Sequence, residues 1–295
     1  MPTRKKIAVL LWLFSIATTS NATIHPETQK NPERIRIQSL EKEYGVIESY
    51  ILEILALAVK NCDGAYILEK LPGAPVPQAR QIVDLSQNRG NFDVIWTMTS
   101  DERESQILPI RIPIDKGLFG WRIAFVRPDN ANSLHKVKSI DDLAKFRAGQ
   151  GYLWPDTEIL KRNGLPVVTG SDDTLANMLT AKRFDYFPRP IIAIWNELKN
   201  QNEYKDLIID TTFVLHYQTA FYFFVAPQQK KLAENLTRGL ERAIADGSFE
   251  QVFNKYFKTL IQKTEIKNRI IFELNNPLIK ANSLPLDTPK YWFNP

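Results

Sequence analysis

Short apolar runs that fit strands alternate with amphipathic helical stretches along nearly the whole chain, and this alternation constrains the fold more than any other feature. Ile35 and Ile37 begin a strand, and Ile47, Ile51, Ile54, Leu55 and Ala58 then recur at helical spacing as one core-facing stripe. Residues 65–71 read as a strand broken by Pro72-Gly73, 78–86 as a helix, 92–97 (FDVIWT) as a buried strand and 120–126 (GWRIAFV) as another. A second series follows: helix 141–146, extended chain 150–153, and helix 156–163 ending at Gly164. Strand 167–168, helix 173–182 capped by Asp172 or Asp173, strand 184–187 and helix 191–199 complete it. Strand 220–225 (AFYFFV) leads to a helix with Leu232, Leu236, Leu240 and Ile244 four apart, and Asp246-Gly247-Ser248 separates it from a helix at 249–256. From 261 onward Asn and Pro accumulate without a helical period. Residues 275–295 read as a surface tail pinned by Tyr291, Trp292 and Phe293.

Arg4, Lys5 and Lys6 precede a ten-residue apolar run at 7–16, and Ser20-Asn21-Ala22 supplies the small residues that a signal peptidase needs. The run falls short of the roughly 20 residues of a membrane span. The expectation is a signal peptide at 1–22, cleaved near Ala22, and a soluble mature chain in the periplasm. Residues 1–22 hold three basic and no acidic residues, so their loss takes the net charge from +5 to +2. That is too mild to indicate nucleic acid or anionic lipid as a partner.

Cys62 is the only cysteine, so no intrachain disulfide can form, and it reads as a small buried hydrophobe. The histidines, His25, His135 and His216, are far apart and lack metal spacing, so neither a metal nor another cofactor is expected. There is no His-Glu-x-x-His, Gly-x-Ser-x-Gly or phosphate-loop motif, and no nucleophile with an identifiable base. Enzyme activity is therefore not expected.

The segment 92–114 (FDVIWTMTSDERESQILPIRIPI) carries a strand, a Thr/Ser-rich turn, an arginine opening a helix, and a Pro-containing strand. With Phe184-Asp185 and the Asp246-Gly247-Ser248-Phe249 turn, it resembles the extracellular solute-binding proteins of family 3. The resemblance covers about residues 33 to 260, in order. It implies an α/β, two-lobed, periplasmic binding protein-like fold with two mixed sheets joined by two crossing strands. One lobe would hold 23–125 with 218–295, and the other 126–217; the crossings would be 122–127 and 216–224. It also implies a monomer that closes on a small anionic or amino-acid-like ligand and serves a membrane permease of an ABC transporter. A sensor subunit for a membrane receptor is an alternative, as is a periplasmic cyclohexadienyl dehydratase-like enzyme with Asp156 or Glu158 as its acid.

The same resemblance assigns candidate binding residues. Arg103 matches the arginine that grips a ligand carboxylate, a task suited to a guanidinium's planar fork. Thr99 and Ser100 would add hydroxyls and backbone N–H groups at the helix start. Thr157, after the Gly149-Gln150-Gly151 turn, would complete the carboxylate site, with Trp154 as a flat wall. Amino acid receptors of the family place an ammonium-binding aspartate shortly after Asp185. Here that region reads Phe187-Pro188-Arg189-Pro190, and Arg189 would bring a positive charge near the ligand. This favours an anionic ligand over an ordinary α-amino acid. Tyr44 and Trp96 would cover the ligand or belong to the core, and Gln78 and Arg80 lie near the cleft edge.

Overall fold

The computed structural model describes residues 31–38, 45–72, 76–89, 91–280 and 283–295. The expected leader at 1–22 lies outside the described residues, as does Tyr44. The expected alternation is present. β1 (Glu33–Ile37), α1 (Gly45–Asn61), β2 (Tyr66–Lys70), α2 (Gln78–Ser86), β3 (Val94–Met98), α3 (Asp101–Gln106) and β4 (Leu108–Ile110) come first. Next are β5 (Trp121–Val126), α4 (Pro128–Leu134), α5 (Ile140–Leu143), β6 (Ala148–Gly151), α6 (Pro155–Arg162), β7 (Val167–Gly170) and α7 (Asp172–Thr180). Then come β8 (Tyr186–Pro190), α8 (Ile194–Glu197), α9 (Gln201–Tyr204), β9 (Ile208–Ile209) and β10 (Phe213–Tyr217). β11 (Phe221–Val225), α10 (Lys230–Ala245), α11 (Ser248–Thr264) and β12 (Ile270–Leu274) close the series.

β11 is the middle strand of an antiparallel sheet, β3-β11-β4, with Phe223 opposite both Trp96 and Ile110. β1 and β2 pair in parallel beside it, and Asp93 N donates to Arg36 O at 2.8 Å to tie β1 to the approach of β3. A larger mixed sheet runs β12-β10-β5-β8-β6-β7, with β9 on β5. β3, β5 and β11 are buried throughout, which is why their sequences are nearly unbroken apolar runs. α1 and α10 pack together through Ile54, Ala58, Leu236 and Leu240, all fully buried in the main core.

The chain crosses from the small sheet to the large one between β4 and β5, and returns between β10 and β11. The crossings nearly touch at Gly120, where a Cβ would lie 2.2 Å from Tyr217 O, so only glycine fits. Phe119 stacks on Phe221 with centroids 4.4 Å apart, and Trp121 on His216 at 3.9 Å.

Two further passages depart from the expected two crossings. After α11, which packs on α1, the chain enters the large sheet as β12, parallel to β10. It then turns back: Asp101 N donates to Leu278 O at 2.9 Å, Arg111 Nη1 to Ser283 O at 2.9 Å, and Phe293 N to Lys116 O at 2.8 Å. Residues 270–274, expected with the first lobe, thus belong to the large sheet. Their alternation is the reason: Phe272 and Leu274 are buried while Ile271 and Glu273 face out, as on a half-wet edge strand. The described residues of 275–295 reach both sheets, Leu284 in one cluster with Ile95 and Tyr222, and Phe293 on Trp121. Tyr291 and Phe293 pack against the main core, Phe293 edge-on to Trp121 at 5.8 Å, and Trp292 packs against the smaller cluster, so all three expected aromatic pins are in contact.

Candidate functional site

β3 delivers its polar end to the gap between the sheets. Ser100 caps α3, its Oγ accepting from Arg103 N at 3.2 Å, and this one short turn folds Arg103 back over the strand end. There Nη1 donates to Thr97 Oγ1 at 2.7 Å and to Met98 O at 2.6 Å, and Nη2 donates to Gln78 Oε1 at 3.0 Å. All three acceptors are neutral. Burial pulls the guanidinium below its ordinary value, against the opposing pull of Glu102 and Asp156. Sequence reasoning placed Gln78 only near the cleft edge; the structure puts its side chain directly on Arg103.

Thr99 and Ser100 are less available than expected. Thr99 Oγ1 donates to Glu104 Oε1 at 2.5 Å and its N–H to Ala220 O at 2.8 Å, while Ser100 Oγ serves as the cap. The first N–H of α3, that of Asp101, is taken by Leu278 O of the tail. These groups shape the arginine's seat instead of offering a row of donors.

From the large sheet, β6 ends at Gly151, where a Cβ would meet the Trp154 ring at 2.5 Å; glycine lets the indole fold over the strand end. Thr157 is buried and its Oγ1 donates to Gly151 O at 2.7 Å, so its hydroxyl ties the turn together. Asp156, one residue earlier, holds Arg122 Nη2 at 2.6 Å and accepts from Tyr217 Oη. Burial pushes the Tyr217 hydroxyl well above the phenol range, so it stays a donor. This trio was missed from sequence, because its members are scattered along the chain. Asp156 is held by a buried cation, and Glu158 pairs with Arg162 in an exposed i,i+4 contact. Each acid considered for a dehydratase thus has a cationic partner.

Arg189 is corrected by its surroundings. It is 3% exposed, and its Nε and Nη2 grip both oxygens of Glu197 at 2.6 to 3.0 Å, with Asp172 3.7 Å from Nη1. Its guanidinium lies 4.7 Å from the Trp154 ring and 5.0 Å from Phe187. Two acids neutralise the positive charge expected near the ligand, and Glu197 was invisible as a partner because it lies beyond the turn that ends β8. Trp154 stacks on Phe187 at 6.4 Å as part of that cluster.

Trp96 is a core side chain, 3% exposed and edge-on to Phe223 at 6.4 Å. Arg80 pairs with Asp84 at 2.8 Å on the outside of α2. His135 Nδ1 meets Thr212 Oγ1 at 2.9 Å, and His216 meets Glu273 at 2.6 Å. Among the described residues no group of His, Cys, Asp and Glu could hold a metal, and no helix is long and apolar enough to cross a membrane.

This architecture is shared with solved binding proteins. The probable amino-acid ABC transporter extracellular-binding protein of Bacillus subtilis superposes with a TM-score of 0.60 at 16% identity, over 77% of this chain and 98% of that one. An ancestral arginine-binding protein bound to arginine gives a TM-score of 0.54 at 16% identity, over 77% and 99% of the two chains. An ancestral amino acid-binding protein, a precursor of cyclohexadienyl dehydratase, gives 0.55 at 14% identity, over 77% and 95%. No family profile and no characterised protein matches the chain in sequence. The fold is that of the two-lobed periplasmic binding proteins.

Proposed function

We propose that this chain is an exported solute-binding protein that closes two lobes on a small carboxylate gripped by Arg103, and passes it to the permease of an ABC transporter. The observation that carries this reading is the seat of Arg103. It is a half-buried guanidinium at the end of a buried strand, with only neutral acceptors and no carboxylate in ion-pair range among the described residues. A cation held this way retains its charge for an incoming anion, and its fork matches two carboxylate oxygens. The solved neighbours support the class, since their names make them amino acid-binding proteins, one of them of an ABC transporter. In this reading one lobe comprises β1–β4, β11, α1, α10 and α11, and the other the large sheet with its helices.

Calorimetry of the wild type and of Arg103 variants against monocarboxylates, dicarboxylates and amino acids tests the reading. Arg103→Ala should weaken the best ligand about 30- to 4,000-fold, as for a desolvated charge left unpaired at about 2–5 kcal/mol. Arg103→Lys should not restore it, because an ammonium lacks the two-pronged geometry. Tight binding that is indifferent to Arg103→Ala refutes the reading.

A further inference from the structure

We infer that the cleft takes a carboxylate with an apolar body and no ammonium group, its apolar part lying on Tyr152 and Leu153. This rests on Arg103 as the carboxylate holder and adds the class of ligand. Tyr152 is 64% exposed and Leu153 83%, side by side in the turn between β6 and α6. Large apolar side chains so open to water in a folded chain mark a contact surface when they sit at a binding edge.

That edge is the carboxyl end of the parallel pair β6 and β7, where ligands collect in α/β sheets. The turn's backbone is fixed: Tyr152 N donates to Gly170 O at 3.2 Å and Trp154 N to Gly151 O at 3.2 Å. The exposure therefore belongs to a built feature. Asp156, at the start of the helix that follows, accepts from Tyr217 on the return crossing, and three residues on Ala220 O of the same crossing receives Thr99 N beside Arg103, so the turn and the arginine flank one crossing.

Apart from Asp101 and Glu102 at the open start of α3, the acids around that gap are committed. Asp156 is held by Arg122 and Tyr217, Glu197 and Asp172 by Arg189, and Glu104 by Arg111 and Thr99. Glu102 is exposed, where an ion pair contributes little. A ligand ammonium would enter without a free desolvated acid to receive it, close to the guanidinium groups of Arg103 and Arg122. A plain carboxylate with an apolar body avoids that conflict and covers Tyr152 and Leu153 as it binds.

Four probes separate the terms by calorimetry: 3-phenylpropionate, phenylalanine (the same body with an ammonium), 3-phenylpropionamide (the same body uncharged) and succinate (charge without the body). The expected result is that 3-phenylpropionate binds at least about tenfold tighter than each of the others. Tyr152→Ala/Leu153→Ala, a change at two exposed positions, should weaken it about ten- to a hundredfold, the value of a lost apolar contact of this size. If phenylalanine or succinate binds as well, or the double variant is unaffected, while Arg103→Ala still abolishes binding, the ligand class is wrong and the carboxylate site stands. If none of the four binds, the ligand class is also overturned. If binding survives Arg103→Ala, the functional reading itself falls.

Discussion

Tyr217 and Asp156 meet at the root of the cleft, where the phenol of one crossing strand donates to the carboxylate that also holds Arg122. Arg122 and Asp156 are each 4% exposed, and Arg122 Nε is further anchored on Phe119 O at 2.9 Å. Asp156→Asn leaves a buried guanidinium without its counter-charge and should cost about 3–5 kcal/mol, read from the urea midpoint. Replacing both partners, Asp156→Leu with Arg122→Met, should recover most of that loss, since an apolar pair of similar volume is often neutral. An unchanged midpoint for Asp156→Asn would mean that Arg122 reaches water.

Asp115 gives a pH dependence of opposite sign to that of most carboxylates. It is 2% exposed and accepts from Phe119 N at 2.7 Å and Gly117 N at 3.1 Å, yet burial outweighs these bonds and pushes it up to about 6. Because the folded value lies above the unfolded 3.8, its contribution is complete below 3.8 and is lost as pH rises through about 6. The gap of about two units corresponds to roughly 3 kcal/mol. Wild type should lose about that much stability relative to Asp115→Asn between about pH 4 and 7.5 in urea titrations. Parallel pH profiles would contradict the assignment.

The tail acts as a second tie between the sheets. Asn163 Nδ2 donates to Asn275 O at 2.8 Å and Asn275 N donates to Asn163 Oδ1 at 2.9 Å; three residues on, Leu278 O receives Asp101 N. Deleting 275–295 removes these bonds and the Trp292 and Phe293 contacts. A loss of about 2 kcal/mol, or a fall of roughly 4–8 °C in melting temperature, is expected in calorimetric scans. An unaltered melting temperature would show the tail to be passive.

The core strands were legible because they are long, apolar and continuous: FDVIWT, GWRIAFV and AFYFFV fall on β3, β5 and β11 within a residue or two. β12 was hidden, since five alternating residues in an Asn- and Pro-rich stretch make a weak signal next to the helices. Arg103 was singled out by the resemblance, which matches its place after a strand and a Thr/Ser turn. The pairing of Arg189 with Glu197 and of Asp156 with Arg122 was not, because periodicity shows which residues face the core and nothing of which charges meet there. The exposure of Tyr152 and Leu153 had no sequence signal either, since nothing in a sequence tells an apolar residue standing in water from a buried one.

Capture between two lobes is most directly tested by small-angle X-ray scattering, before and after saturation with the carboxylate that raises the melting temperature most. Hinge closure about the crossings at Gly120 and Tyr217 should bring the sheets together and lower the radius of gyration. Arg103→Ala should leave it unchanged at the same ligand concentration. An identical radius with and without ligand in the wild type would contradict the account.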